Sequence, residues 1–347
     1  MTRVAKALVA YSALFALLVN GACSNSADPL QAVEYDVPHR FIGKEGKAAR
    51  DLSGIACAPD QAARHCLVVD DEGDSAQWAT LDGTSLVAGD SVPLVGESEG
   101  DVTFGVRPEV GCPNGDGKFG ELDGEAVAFA APYYYVVGSH GCSRKKGEFR
   151  ASSFILARLI DGPQESVETT FRLTDVLRHA DTVSAYLGKD LDGENGLNIE
   201  GLAVQGEQLI IGLRGPSIDG RAFLVRTDIA PLFAKGDGLG APSSTTIPIA
   251  VPGGTGIRDL TTLPDGRLLL LLGPARDQGL PYTLATIEPR SRLDLYEPIK
   301  VETLAELPEI AVDDMRAILF ASAIAATFVG SSSFASQGRC LLPWIFA

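Results

Sequence analysis

Residues 200–213 read EGLAVQGEQLIIGL, a short strand joined by a turn to a longer apolar strand. The longer strand, residues 209–213, is apolar on both faces, which is typical of a strand buried on both sides. Three other segments of the chain have the same layout of strand, turn and apolar strand. The equivalent apolar residues of the four first strands are Ile55, Val127, Leu202 and Leu260.

These four segments are diverged repeats, spaced 72, 75 and 58 residues apart, and one or two amphipathic strands follow each of them. Four-stranded repeats around an axis are the sequence mark of a β-propeller, whereas a β-sandwich seldom repeats one two-strand module four times. We therefore expect an all-β protein, a β-propeller with five to six four-stranded blades. The chain before Leu52 is expected to supply a strand that closes the ring.

One helical insertion is predicted between the second and third repeats. Apolar residues recur at helical spacing over residues 173–187, and Thr174 is the predicted N-cap.

The N-terminus has the pattern of a secretory signal peptide. Arg3 and Lys6 precede an uncharged apolar run at residues 7–19, which is short for a transmembrane helix. The expected domains are a signal peptide at 1–22, a linker at 23–39, the propeller at 40–316 and an atypical apolar tail at 317–347.

Cys23 lies where a bacterial lipoprotein is cleaved and lipidated, although Asn20 replaces the usual Leu of the lipobox. We expect an exported protein, either a periplasmic or cell-envelope lipoprotein or a secreted one. The only predicted membrane contact is a lipid anchor at Cys23.

Cysteine spacing agrees with export, since disulfides persist in oxidising compartments. Apart from Cys23 and Cys340, four cysteines remain, and they allow three connectivities. The positions that face each other in hairpins favour Cys57–Cys66 and Cys112–Cys142.

The composition argues against a nucleic-acid partner. Asp and Glu number 45 against 29 Lys and Arg, a formal net charge of −16, whereas phosphate backbones require a basic surface. Such a charge either keeps the protein soluble or serves cation binding.

Charged residues at the starts of the modules form the candidate site, because the innermost strands of a propeller line its central channel. Glu125 and Glu200 occupy the same repeat position, where the next repeat has Arg258 and Asp259. An inter-blade network of ion pairs is one interpretation and a ligand site is the other. The predicted ligand-binding residues are Glu125, Glu200, Arg214, Arg258, Asp259 and His140. The predicted metal ligands are Glu125, Glu200 and Asp70, with calcium as a candidate cofactor because it takes oxygen ligands.

The tail at 317–347 contains one charged residue, Arg339, and lacks the rhythm of strands and turns. It is a last blade altered in sequence, a weak membrane segment at 317–335, or a buried helix. We favour the first interpretation.

Four short blocks carry a resemblance to a known family. They are residues 138–140 (GSH), 198–203 (NIEGLA), 212–216 (GLRGP) and 256–260 (GIRDL). Together they resemble the signature blocks of a bacterial family of exported proteins described only as a domain of unknown function. That family is similar, more distantly, to the esterase-like propeller domain associated with phytases. The resemblance covers roughly residues 51–274 and implies a propeller with no established activity.

Three functions follow as hypotheses. The first is a ligand-binding or scaffold propeller of the cell envelope, whose channel mouth holds a small anionic or metal-bridged ligand; whether its partner is a small molecule or an envelope protein is open. The second is a metal-assisted hydrolase of phosphate or carboxylic esters, since metal-activated water is feasible where no nucleophile motif is present. The third is a purely structural propeller. The protein is thus a hydrolase if it is an enzyme at all.

Overall fold

The computed structural model describes residues 35–59, 63–160, 166–236, 242–288 and 297–307. These residues form four sheets in a β-propeller arrangement, and each sheet is one blade whose successive strands pair antiparallel. The all-β fold class is therefore confirmed.

The first two blades each have four strands in chain order. Blade 1 consists of β1 (Leu52–Cys57), β2 (Ala63–Asp70), β3 (Ser75–Asp82) and β4 (Ser85–Pro93). Blade 2 consists of β5 (Gly124–Ala130), β6 (Tyr133–Gly138), β7 (Leu156–Ile160) and β8 (Val167–Thr170).

The other two blades are built from β9 onward. Blade 3 contains β9 (Asn198–Gln205), β10 (Gln208–Ile218), β11 (Arg221–Asp228) and β12 (Thr245–Ala250). Blade 4 contains β13 (Thr255–Thr262), β14 (Leu268–Pro274), β15 (Thr283–Ile287) and β17 (Glu302–Glu306). The two-residue strand β16 (Ile299–Lys300) pairs in parallel with β12 and gives blade 3 a fifth strand.

The helices are short and lie between strands. They are α1 (Leu173–Arg178), α2 (Asp181–Ser184), α3 (Leu191–Glu194) and α4 (Ile229–Leu232), with 3₁₀ turns at Lys44–Gly46, Glu99–Asp101 and Ala151–Phe154.

The innermost strands of the blades pack in chain order, β1 on β5, β5 on β9 and β9 on β13. Gly54 of β1 permits the first of these contacts. A Cβ at Gly54 would lie 2.8 Å from the Ala126 Cα, so only a residue without a side chain lets the two backbones approach this closely.

Each second strand contributes side chains to two cores, as the sequence predicts. Leu67 and Val69 face the core between blades 1 and 2, while Val68 faces the opposite side of blade 1. Likewise Ile211 packs between blades 2 and 3, and Ile210 between blades 3 and 4. Successive side chains of a strand point to opposite faces of the sheet, so each second strand packs against the blade on either side through an apolar layer.

The predicted blade number of five to six is wrong, because the described part of the chain forms four sheets. Each strand-turn-strand module builds one blade, and residues 35–51, the described part of the chain before Leu52, add no blade strand. Instead, Tyr35 and Phe41 cover the outer core of blade 1, and Asp36 makes a single bridge to Ser85.

The helical insertion is present but is divided. The predicted helix at 173–187 is split into α1 and α2, and Asp181 has a positive φ of 29° at the start of α2. Thr174 is not the N-cap; it is buried inside α1, which begins one residue earlier, at Leu173. The apolar stripe overrides the capping signal because Val176, Leu177 and Val183 must all reach the core between blades 2 and 3.

Both predicted disulfides are confirmed. Cys57 and Cys66 are a cross-strand pair of β1 and β2, and Cys112–Cys142 joins the loops before β5 and after β6. Disulfides are typical of an oxidising, extracytoplasmic compartment. Within the described residues, no helix is long and apolar enough to cross a membrane. The predicted signal peptide, Cys23 and the apolar tail at 317–347 lie outside the described residues.

Candidate functional site

Every innermost strand contains a β-bulge at the same repeat position. The pairing of each first strand with its second strand skips one residue, which has no partner in the ladder. Each skipped residue lies two positions before the repeat's equivalent apolar residue. A bulge changes the direction of a side chain relative to the regular alternation of a strand. The four bulges therefore change the direction of the equivalent side chain in every blade. The four residues, which we call the bulge ring, are Ser53, Glu125, Glu200 and Arg258.

A second set of residues follows the same end of the second strands. In each blade the residue before the bulge pairs with one residue of the second strand. The residue that follows this partner along the second strand belongs to the second set. The residues in this position are Asp71, Ser139, Arg214 and Gly273. The repeat therefore brings two positions per blade to one end of the inner strands, and five of these eight positions are charged: Asp71, Glu125, Glu200, Arg214 and Arg258.

Glu200 is neutralised on both of its carboxylate oxygens. Arg214 Nη1 lies 2.6 Å from Glu200 Oε1, and Arg258 Nε lies 2.6 Å from Oε2, where it forms an ion pair without the alignment of a hydrogen bond. Arg214 Nε donates to the Ala275 carbonyl at 3.0 Å. Although burial lowers the pKa of Arg214, the charge and hydrogen bond of Glu200 outweigh it and raise that pKa. The predicted inter-blade ion-pair network is therefore real at Glu200.

Glu125 occupies the equivalent position of blade 2 but lacks such partners. Within the described residues, no ion pair or hydrogen bond to another side chain is formed by its carboxylate, which keeps some contact with solvent. Burial raises the pKa of Glu125 well above its ordinary value, and the negative charges of Glu200, Asp123 and Asp71 raise it further. The positive charge of Arg258 opposes this shift. Glu125 is thus an incompletely compensated carboxyl in a crowded acidic environment.

Asp71 and Asp123 extend this acidic environment between blades 1 and 2. Burial, together with the charges of Asp51 and Asp123, raises the pKa of Asp71 to about 8. The Asp71 Oδ1 atom is buried and has no hydrogen-bond partner. Burial also raises the pKa of Asp123, although a hydrogen bond from Ser139 opposes the shift.

The site therefore has two unlike halves, which together we call the axial site. On blades 3 and 4, Glu200 is held between two guanidinium groups. On blades 1 and 2, the carboxyls of Asp71, Asp123 and Glu125 form no ion pair within the described residues, although the charge of Arg150 lowers the pKa of Asp123 and that of Arg258 lowers the pKa of Glu125. Clustered carboxyls in a recess repel one another unless protons or a cation neutralise them. The half formed by Asp71, Asp123 and Glu125 can therefore bind positive charge.

Two predicted residues are not part of this group. Asp259 pairs with Leu271 in the ladder, one position after the bulge, and its Oδ1 accepts the Leu260 backbone N–H at 2.7 Å. Its neighbour Arg258 occupies the bulge ring instead. Asp70 lines a separate recess on blade 1, so the predicted metal set of Glu125, Glu200 and Asp70 is not brought together.

His140 lies at the same end of blade 2 but is enclosed by protein. Its Nδ1 is 2.9 Å from the Gly138 carbonyl, and its ring packs 5.4 Å from that of Phe154. Complete burial lowers the pKa of His140 to about 4, so the imidazole is neutral near pH 7. The buried Nε2 atom has no hydrogen-bond partner. His140 is at this end of the molecule as predicted, although no solvent reaches its side chain.

The predicted site residues do not include Asp71, Asp123 or Ser139. Asp71 is adjacent to the predicted Asp70, and alternation along a strand could have assigned these two neighbours to different sides. The bulges have no uniform signal, because the residue after the bulge is Gly in blades 1 and 3, Ala in blade 2 and Asp in blade 4. In the part of the chain that the structure describes, no group of three or more His, Cys, Asp or Glu side chains is arranged to hold a metal ion.

A family model described as "Protein of unknown function (DUF3616)" matches residues 162–316. The blocks at 198–203, 212–216 and 256–260 lie inside the matched range and the block at 138–140 lies outside it, and their role as signatures of the family stays a prediction. No curated protein matches the chain. The likeness to the phytase-associated esterase-like domain stays a prediction.

Some solved structures are weakly similar to this chain. A protein from Bacteroides uniformis, named provisionally as a 6-phosphogluconolactonase, is 12% identical with a TM-score of 0.35, over 77% of this chain and 60% of its own. An exo-β-1,3-galactanase from Phanerochaete chrysosporium is 6% identical with a TM-score of 0.38, over 78% of this chain and 52% of its own. The chain thus spans little more than half the length of these two proteins. The likenesses are too distant to carry an argument about function.

Proposed function

We propose that this protein is a ligand-binding propeller whose axial site holds the positively charged group of a small molecule against Glu125 and Asp71. The unequal pairing of Glu125 and Glu200 carries the proposal. The two glutamates are equivalent by repeat and by bulge, yet among the described residues Glu200 forms ion pairs with two arginines and Glu125 forms none. A cation bound beside Glu125 would neutralise this carboxylate on blade 2, as Arg214 and Arg258 neutralise Glu200 on blade 3.

The charge state of the carboxyls supports a cationic ligand over the anionic one expected from sequence. Asp71, Asp123 and Glu125 all have raised pKa values because of burial and mutual repulsion. A cation would stabilise their ionised forms and displace the protons that otherwise neutralise them. Binding should therefore release protons and strengthen as the pH rises from 6 to 8.

A binding series with small cations tests the proposal. The probes are methylamine, choline, spermidine and calcium chloride, each followed by calorimetry at pH 8. We expect an organic cation to bind the wild type and to lose at least about tenfold in affinity with Glu125→Gln, since hydrogen bonds to charged groups contribute about 1.5–3 kcal/mol. The matched control is Glu302→Gln, an exposed glutamate on the outer strand of blade 4.

The other hypotheses predict different results in the same series. Calcium binding that requires Glu125 would show that the ligand is a metal ion and would support the predicted calcium cofactor. Hydrolysis of phosphate or carboxylic esters that requires Glu125 and calcium would support a metal-assisted hydrolase. If no probe binds and Glu125→Gln changes nothing but stability, the axial site is structural and the proposal is wrong.

We also propose that the protein is exported and anchored to a membrane by a lipid on Cys23. The two disulfides support an oxidising compartment. Membrane fractionation of the wild type and Cys23→Ala tests the anchor. A wild type that never cosediments with membranes would refute it.

A further inference from the structure

Blade 1 contains a second recess, on the side reached by Asp70. Its volume is about 410 Å³, within the roughly 300–1,000 Å³ of small-molecule sites. The turn between β2 and β3 and the chain segment before blade 1 form most of its walls. The lining residues are Ile42, Gly43, Lys44, Glu45, Gly46, Asp70, Glu72, Gly73, Asp74, Ser75, Ser91, Gly120 and Glu121.

One residue that lines this recess, Asp70, has a carboxylate oxygen without a hydrogen-bond partner. Asp70 is 6% exposed, and its Oδ1 accepts the Glu72 backbone N–H at 2.9 Å. Its Oδ2 is buried and has no hydrogen-bond partner. A buried carboxylate oxygen that accepts no hydrogen bond is costly unless something supplies a donor or a charge. Burial and the negative charges of Glu72 and Asp51 raise the pKa of Asp70, although hydrogen bonds from the backbone of Glu72 and Asp51 oppose the shift.

The basic groups around the recess are already paired with other carboxylates. Lys44 and Arg150 both contact Glu121, and Lys47 lies 2.6 Å from Glu45. No such ion pair forms with Asp70, Glu72 or Asp74 in the described part of the chain. The recess therefore keeps uncompensated negative charge next to the unpartnered oxygen.

An apolar side chain completes the lining. Ile42 is 54% exposed, one of three large hydrophobic side chains with high exposure among the described residues. Its backbone N–H is fixed by Gln77 Oε1 at 2.8 Å. An exposed apolar side chain next to a buried acid fits a ligand with an aliphatic stem and a positive end. Primary ammonium groups on flexible stems have this character, because their three N–H donors suit carboxylates and hydroxyls.

We propose that the blade 1 recess binds a primary alkylammonium group, with the ammonium at Asp70 and the aliphatic stem against Ile42. The group belongs either to a free aliphatic amine or to a lysine side chain. Ser75 and Ser91 supply hydroxyl oxygens in the same lining. Lys44, which lines the recess and pairs with Glu121, is the internal competitor for this position.

Substitution of Asp70 tests the proposal once the axial site has been disabled by Glu125→Gln. The full chain carrying Glu125→Gln is titrated with 1,5-diaminopentane by calorimetry. We expect the additional change Asp70→Asn to weaken binding at least about tenfold, and the additional change Glu302→Gln, at an exposed position of the outer strand of blade 4, to leave it unchanged. Because Asp70 lies outside the axial site, failure here leaves the proposed axial function intact. Equal binding with and without Asp70→Asn would overturn the proposal.

A second measurement does not depend on how the variants fold. In wild-type protein with labelled isoleucine methyl groups, the amine should shift the Ile42 signal and leave the signal of the buried Ile257 unchanged. Tetramethylammonium, which has no N–H donor, should not shift Ile42, and an equal shift would refute recognition of a primary ammonium. Nα-acetyl-lysine amide and 1,5-diaminopentane distinguish the two sources by their relative affinities. An Ile42 signal that moves with neither probe would also overturn the proposal.

Discussion

At the scale of single residues, the chemistry of the axial site depends on how two equivalent glutamates are compensated. Glu200 and Arg214 are almost completely buried, and a charge taken out of water is tolerated only when it is paired. Glu125 keeps some solvent contact and forms no ion pair with an arginine in the part of the chain that the structure describes. The same repeat position therefore stabilises the fold in one blade and remains free to bind in the next.

Replacing Glu200 should be much more damaging than replacing Glu125. Glu200→Ala leaves Arg214 and Arg258 without their carboxylate, and breaking a buried pair on one side costs about 3–5 kcal/mol. Glu125→Gln replaces a carboxyl whose ionisation is opposed by burial and by neighbouring negative charges with a neutral amide, so the free energy of unfolding should stay the same or rise. Urea denaturation of both variants measures the difference. Equal destabilisation would show that the two glutamates are compensated alike.

At the scale of strands, the close approach of the inner strands and their bulges bring the axial residues together. The sequence predicts the strand-turn-strand modules, the two-sided burial of the second strands and both disulfides, because these depend on local pattern and spacing. It does not predict the bulges, because a skipped pairing depends on the neighbouring blade as much as on the strand itself. This is why the predictions include Glu125, Glu200 and Arg258 but also Asp259, which lies one position beyond the bulge.

Gly54 offers a test of this close approach. A Cβ at Gly54 would meet backbone atoms of Ala126 and Val127, which cannot move aside as a side chain can. We expect Gly54→Ala to lower the free energy of unfolding by about 1–3 kcal/mol, as overpacking does. Gly111→Ala is the control, since a Cβ there meets nothing within 4 Å. Chemical denaturation compares the two, and an equal effect would mean that β1 and β5 do not need the close contact.

At the scale of the whole molecule, buried titratable groups set how stability depends on pH. His140 has a folded pKa of about 4, below its ordinary value, so the unfolded chain binds more protons and stability rises with pH up to about 6.5. Asp71 has the opposite sign. Its folded pKa of about 8 lies above its ordinary value, so the folded protein binds more protons and stability falls as the pH rises toward 8.

The effects of the two groups can be distinguished above pH 6.5. There His140 is neutral in both the folded and the unfolded state, whereas Asp71 of the folded protein still loses its proton as the pH rises to 8. We therefore expect the free energy of unfolding, measured by urea denaturation, to fall between pH 6.5 and pH 8. Between pH 4 and 6.5 the contributions of Asp71 and His140 oppose each other. Asp71→Asn should flatten the upper limb and expose the rise that His140 causes between pH 4 and 6.5, while His140→Gln should leave a fall in stability that begins near pH 4. Saturation with a cation at the axial site should also flatten the upper limb, because the ligand neutralises the carboxyls that the lost protons expose. A stability that keeps rising from pH 6.5 to 8 in the wild type would show that Asp71 is ionised throughout, and that the acidic half of the axial site is already compensated.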